Sequence, residues 1–227
     1  MANIEIILQS VHGYFLTLLF LSFSVQIYFY FFIYRKVVIY KKDNPRIKKH
    51  EPPPISVIIA AKNEEKNLAK NLTKILNQDY SKFEVIVVND GSSDDTEEYL
   101  NKLQTQFHNL RILTIKKSQG KKNALSKAIQ ISKYEYLLFT DADCYPISRN
   151  WIYTIATNFS VEKEIDLAHG GYDKKNSILN SFICFDSFFI SLQYFGAAII
   201  GHPFMGVGRN LAYTKRIWQQ NNGFSSH

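Results

Sequence analysis

The chain has 227 residues, a formal net charge of +7, 46% hydrophobic and 15% aromatic residues, which is enough apolar material for one ordinary domain plus an extra element and excludes a disordered chain. Much of the excess positive charge sits in one stretch, "RKVVIYKKDNPRIKK" at 35 to 49, so it marks a segment rather than a nucleic-acid-binding face. Two cysteines, Cys144 and Cys184, lack the number and spacing of a disulfide framework or zinc site, as in a reducing compartment.

Residues 14 to 34 carry no formal charge, and at about 1.5 Å per residue a helix of that length crosses the ~30 Å hydrocarbon core. The basic residues follow this run, and no small-residue cleavage site is evident, so it reads as an uncleaved transmembrane helix rather than a signal peptide. The positive-inside rule then leaves residues 1 to 13 as a short extracytoplasmic N-terminus and puts the rest in the cytoplasm, anchored to the cell (inner) membrane by at least one pass. Anionic membrane lipid accounts for the basic run, and no nucleic-acid partner is expected. Residues 35 to 54 form a basic, proline-rich juxtamembrane linker in which Pro52, Pro53 and Pro54 forbid helix continuation.

From Ile55 onward the hydrophobic period alternates. Strands are expected at 55 to 61, 83 to 89, 110 to 115 and 134 to 140, with helices at 64 to 79, 93 to 107 and about 121 to 132. The strands are continuous apolar runs, which argues for an α/β fold, a mostly parallel sheet covered by helices on both faces.

Ligands of such sheets bind outside the carboxyl ends of the strands. Those ends read "AAKNEE", "NDGSSDDT", "KKSQGKKNAL" and "DADC". Asp90 and Gly91 make a turn, Ser92 or Ser93 can cap the helix that follows, and the Asp90 carboxylate can accept hydrogen bonds from a base or ribose. Lys121 and Lys122 supply positive charge for a diphosphate. Asp141 and Asp143 beside phosphates require a hard divalent cation, Mg or Mn, to bridge carboxylate and phosphate oxygens. Neither the G-x-x-x-x-G-K-[ST] loop nor a G-x-G-x-x-G fingerprint is present.

"ISVIIAAKNEE", "FEVIVVNDGSSDDT", "GKKNAL" and "FTDADC", in that order, resemble the nucleotide-sugar-binding half of family 2 glycosyltransferases, and the resemblance covers about residues 54 to 224. It implies the GT-A (Rossmann-like) fold over 55 to 227 and transfer of a sugar, with inversion and metal dependence, from a UDP-sugar to a lipid-linked or cell-surface glycan acceptor. By that resemblance Ala61, Asn63 and Glu64 lie beside the nucleotide, Asp90 contacts the base and Lys121 the diphosphate. Asp141 and Asp143 match the DxD pair, of which the second is usually the metal ligand. Lys62 stands where many members carry tyrosine.

"AHGGY" (168 to 172) reads as a strand near the acceptor, and "FMGVGRNLAYTKRIWQQNNGF" (204 to 224) resembles the family's G-x-N-x-A-Y segment. Gly206 and Gly208 would let backbone approach a sugar, and Arg209 and Asn210 would bond to it. His169 and His202 are structural or substrate-side groups, having no paired ligand at helical spacing. Residues 178 to 200 are long enough to span a bilayer, but Asp186 and Gln193 make a lipid-exposed span costly and favour a helix packed on the domain or lying at the interface. Inverting transfer needs a base for the acceptor hydroxyl. The resemblance puts it in an acidic motif after the Gly-Phe turn, beyond His227, so no catalytic base is identified and the domain reads as incomplete at its C-terminus. A non-catalytic, membrane-anchored nucleotide-sugar-binding or scaffold protein is the alternative.

Overall fold

A computed structural model describes residues 2–40, 52–159, 164–173 and 176–224. It divides into two compact units: residues 1–44 with 171–205, and residues 45–170 with 206–227.

The larger unit contains six strands: β1 (Ile55–Ala61), β2 (Phe83–Asp90), β3 (Leu110–Ile115), β4 (Tyr136–Phe139), β5 (Ile165–Leu167) and β6 (Leu211–Thr214). They form one sheet in the order β3-β2-β1-β4-β6-β5. The first four are parallel, whereas β6 runs antiparallel to both β4 and β5. The expected mostly parallel sheet is thus observed, with an antiparallel edge.

Alternate residues of the same strands serve two cores, which is why the strands read as unbroken apolar runs. Val57, Ile59, Val85 and Val87 pack with Leu68, Leu72 and Ile75 of α3 (Glu65–Leu76) and Leu100 of α4 (Thr96–Gln104). Ile58, Ile86 and Val88 face the other way, onto Ala124, Ala128 and Ile129 of α5 (Lys121–Ile131). Ile58, Ile86, Leu68 and Leu72 are essentially sealed from solvent, and each such side chain stabilises the fold by about 1.5–3 kcal/mol. α6 (Trp151–Ala156) adds Ile152 and Ile155 to the first core, and α8 (Lys215–Gln220) sets Trp218 against the second.

At the amino edge of the sheet the buried Glu84 accepts from Ser56 Oγ at 2.6 Å, the Lys133 backbone N–H at 2.6 Å and Arg111 Nη1 at 2.8 Å. One carboxylate therefore ties β1, β2, β3 and the approach to β4 together. Charge-assisted bonds of this kind contribute more than neutral ones, and removing the acceptor would strand three donors.

The smaller unit is helical. Its first helix, α1 (Ala2–Tyr28), passes through a π-helical stretch, Phe29–Tyr34, into α2 (Arg35–Ile39). The helix therefore starts well before residue 14, the stretch from Ala2 containing no proline to break it. α7 (Ile178–Ile199) belongs to this unit, not to the sheet, and packs Phe189 edge-on against Tyr34. Both Val11–Ile39 and Ile178–Ile199 are long and apolar enough to cross a membrane, and little of either is buried in the protein. The linker expected at 35–54 is helical over Arg35–Ile39, and its residues 41–51, like the continuation of the Gly-Phe turn past Phe224, lie outside the described residues.

Candidate functional site

All four parallel strands deliver their carboxyl ends to one edge, and the loops there are stitched to each other. After Ala61 the chain turns at Asn63, whose φ of 56° lies in the left-handed region that asparagine tolerates better than most residues. Its backbone N–H donates to Ser92 Oγ at 2.9 Å, and its Oδ1 accepts from the Ser93 N–H at 2.8 Å. The Glu64 N–H donates to Thr96 Oγ1 at 3.0 Å. The loops after β1 and β2 are thereby one body.

The expectation that Ser92 or Ser93 caps the next helix is corrected. The helix starts at Thr96, and Asp94 serves its first turn, accepting from the Thr96 N–H at 3.1 Å and hydroxyl at 2.6 Å. "SSDDT" offers several competing caps, and the two serines are drawn off by Asn63. Burial pushes the Asp94 carboxyl up, but the bonds from Thr96 and Glu65 outweigh it and hold the group below the usual carboxylate range.

Asp90 ends β2 and is buried. Its carboxylate accepts from the Gln119 N–H at 2.9 Å, the Gly120 N–H at 3.0 Å and Ser118 Oγ at 2.8 Å. Burial opposes its charge, but these three bonds and nearby Lys62 prevail and depress its pKa. The carboxylate thus shapes the loop at 118–120, Oδ2 accepting two bonds and Oδ1 one, which leaves Oδ1 a lone pair for a further donor. Lys62 reaches the same loop, with Nζ 3.2 Å from Ser118 Oγ. Gly91 is obligatory: its φ is +66°, and a Cβ there would stand 2.7 Å from the Ser118 backbone nitrogen.

Lys121 opens α5, and its Nζ lies 2.5 Å from Asp141 Oδ1, joining two residues twenty positions apart that the sequence assigned to the diphosphate and the metal. Asp141, Asp143 and Cys144 place a carboxylate oxygen each and a thiol within 4.8 Å of one another. Two carboxylates suit a hard divalent ion, and the thiol adds a softer third group. Cys144 donates its S–H to Asp143 Oδ1 at 3.3 Å; burial, that bond and the two carboxylate charges push the thiol up to about 12, so it is a neutral donor here. The loop is held from α3: Asn71 donates to the Ala142 carbonyl at 3.3 Å, and Lys74 lies 3.8 Å above the Tyr145 ring.

On the other flank, Arg209 acts electrostatically on Cys144 and His169, and partial burial together with that guanidinium keeps the His169 imidazole below its ordinary range. Gly170 gives Arg209 its space, since a Cβ there would be 3.0 Å from Nε. One expectation changes. The strand expected at 168–172 lies instead at Ile165–Leu167, because the pairing with β6 ends before the glycines. Asn210 accepts from Trp151 Nε1 at 3.0 Å and donates to the His169 carbonyl at 3.3 Å, which fixes its amide on this flank with one N–H and one oxygen lone pair to spare. Gly206 packs closely on the leucines of β5 and β6, a Cβ there meeting Leu167 Cδ2 at 2.9 Å, whereas nothing lies within 4 Å of one at Gly208.

Ser118, Thr96, Asp94, Trp151 and Cys144 were not singled out as site residues from the sequence. Only Cys144 had a visible signal, its place directly after the paired aspartates.

A Rossmann-like sheet with an antiparallel edge, carrying acidic and basic side chains at the carboxyl ends of its parallel strands, is the GT-A architecture. The chain belongs to glycosyl transferase family 2, whose model matches residues 56–182, more than half its length. It is 30% identical over 156 residues to the poly-beta-1,6-N-acetyl-D-glucosamine synthase of Staphylococcus aureus strain COL, covering 68% of this chain and 37% of that protein. The Staphylococcus epidermidis protein of the same name is 30% identical over 119 residues. This chain therefore spans well under half the length of these relatives. Among solved structures, the mannosyltransferase PcManGT from Pyrobaculum calidifontis, in complex with GDP-Man and Mn2+, superposes with a TM-score of 0.68 at 18% identity over 86% of this chain and 54% of that one. TarS of S. aureus in complex with UDP-GlcNAc gives 0.56 at 21% over 74% and 47%. These superpositions establish the fold.

Proposed function

We propose that the chain carries the donor-binding part of a membrane-anchored glycosyltransferase that takes a sugar from a nucleoside diphosphate, a UDP-sugar, and passes it with inversion to a lipid-linked or cell-surface glycan. The observation that carries this reading is the contact of Lys121 with Asp141, one residue from Ala142 and two from Asp143, at the strand ends. It sets a cation and a carboxylate pair where a diphosphate and its counter-ion would meet. The relatives named for a polymer of N-acetyl-D-glucosamine support an N-acetylhexosamine as the sugar and a surface polysaccharide as the product.

Asp141 and Asp143 would hold Mg or Mn, with Asp143, the more exposed, turned to solvent. A bound divalent ion supplies charge stabilisation for the departing diphosphate. Lys121 would leave Asp141 for the diphosphate oxygens and add a second positive charge there. Lys62, Asn63, Glu64 and Asp90 frame the base and ribose end, and Arg209 with Gly208 borders the acceptor end. No residue of this chain is assigned as the base that deprotonates the acceptor. The first apolar helix, with the basic run after it, anchors the chain and leaves the residues that follow on the cytoplasmic side, and the second lies at the membrane interface, since the strands before and after it share one sheet.

Calorimetric titration of the detergent-solubilised chain with UDP, with and without Mn2+, tests this. Binding that requires both the ion and Asp143 is expected. Equal binding by an Asp143→Ala variant without metal would refute the assignment, and no binding by a folded, full-length protein would favour a scaffold role.

A further inference from the structure

The helical unit carries a binding feature that the donor site does not use. Over Phe29–Tyr34 the N-terminal helix adopts π geometry, then returns to α at Arg35. A π turn offsets the side chains that follow it from the regular helical rows and recurs at functional sites. Beside it α7 comes close at Gly196, where a Cβ would stand 2.8 Å from Ile33 Cγ2. Next to this contact the helices leave a groove of about 510 Å³, walled by Tyr30, Phe31, Val38, Phe188 and Leu192, with Arg35 as its single charged lining residue.

Its volume lies within the ~300–1,000 Å³ of small-molecule sites. The walls are uncovered, Phe31 being 63% and Val38 79% exposed. Arg35 makes no ion pair among the described residues. An apolar trough with one guanidinium at its margin asks for an occupant that is apolar along its length and anionic at one end.

We propose that the groove is a site for one anionic phospholipid, its acyl chain along the aromatic walls and its phosphate on Arg35. Arg35 stands where the uncharged run ends and the basic run begins, the level of the lipid phosphates in a cytoplasmic leaflet. The planar guanidinium fork matches phosphate oxygens two at a time. A second copy of this chain fits less well, because a two-fold axis along the membrane normal would bring two Arg35 and two Lys36 side chains to the same depth. The site rests on the reading that these helices lie in a bilayer.

The test is native mass spectrometry of the delipidated chain in mild detergent, titrated with phosphatidylglycerol and with phosphatidylcholine of the same chain length. One saturable phosphatidylglycerol is expected, at concentrations that leave phosphatidylcholine unbound. Arg35→Gln should weaken phosphatidylglycerol about fivefold, matching the ~1 kcal/mol of one basic residue at an anionic surface, and leave phosphatidylcholine unchanged. Leu192→Trp, which fills the groove, should abolish retention. Equal, unsaturable uptake of both lipids, or full retention by Leu192→Trp, would overturn the proposal. So would a dimer that Leu192→Trp dissociates, or displacement of phosphatidylglycerol by a tenfold lower concentration of an isoprenyl phosphate. Alkaline carbonate extraction of membranes separates the two readings: a chain that washes off refutes the anchor itself, whereas an anchored chain without lipid preference refutes only the groove.

Discussion

Replacing Asp90 by asparagine keeps the volume and removes the charge on which the loop at 118–120 is built. An asparagine carbonyl can still accept from the Gln119 N–H, but its NH2 then points at the Gly120 N–H and Ser118 hydroxyl, which now donate to Asp90 Oδ2. Ser118 can rotate to accept; the Gly120 N–H cannot. Hydrogen bonds to a charged group contribute about 1.5–3 kcal/mol each, so losing one outright and weakening two costs about 2–4 kcal/mol. For a domain of this size that corresponds to a fall of roughly 5–15 °C in Tm. The acid limb should change as well. The folded carboxyl is depressed below its unfolded value, so the unfolded chain takes up the proton first as pH falls. Its contribution is complete above the unfolded pKa of about 3.9 and is lost as pH drops through the lower folded value. Thermal unfolding followed by circular dichroism between pH 7 and 3 should show Asp90→Asn less stable at neutral pH and flatter toward acid. A variant melting within about 2 °C of the parent, with an unchanged acid limb, would refute the role given to this carboxylate.

Gly91→Ala should lower stability by about 2–4 kcal/mol, combining a positive φ with a steric clash against the Ser118 backbone; parental thermal unfolding would show that the loop yields freely. Lys121→Gln should weaken UDP binding in the presence of Mn2+ about tenfold yet shift Tm little, because the ion pair is substantially exposed and such pairs contribute at most about 1 kcal/mol. A large loss of stability with intact binding would reverse that assignment. Cys144, its thiol pushed up to about 12, should resist iodoacetamide at pH 8 when followed by mass spectrometry of its peptide, and rapid labelling would contradict the neutral thiol donating to Asp143.

The alternation from Ile55 to Thr140 was readable because the central strands β1 and β2 are buried on both faces and each helix carries one apolar stripe; local pattern and tertiary burial demand the same residues. Strand-end logic pointed to Asp90, Lys121, Asp141 and Asp143, and the family resemblance added Asn63; the structure gathers the ends of these strands at one edge. The same logic missed Ser118 and Thr96, whose roles depend on partners 28 and 32 positions away in the chain. It misplaced the strand of "AHGGY", since pairing of a three-residue edge strand is decided by its neighbour β6 and not by its own sequence. The partners that orient Asn210, Trp151 and the His169 carbonyl, were hidden for a related reason: only the fold brings them beside its amide.

Glu84 and the proposed donor site lie at opposite ends of the same strands. The bonds that gather β1, β2, β3 and the approach to β4 are made some five residues below the loops that meet a ligand. Substitutions in those loops can therefore change what is recognised while the clasp beneath keeps the strands in register. Loss of Glu84 would act in the reverse sense, loosening every loop at once without touching a residue of the site. For protein engineering, the carboxyl edge is the place to alter specificity, and the amino edge is the part to leave alone.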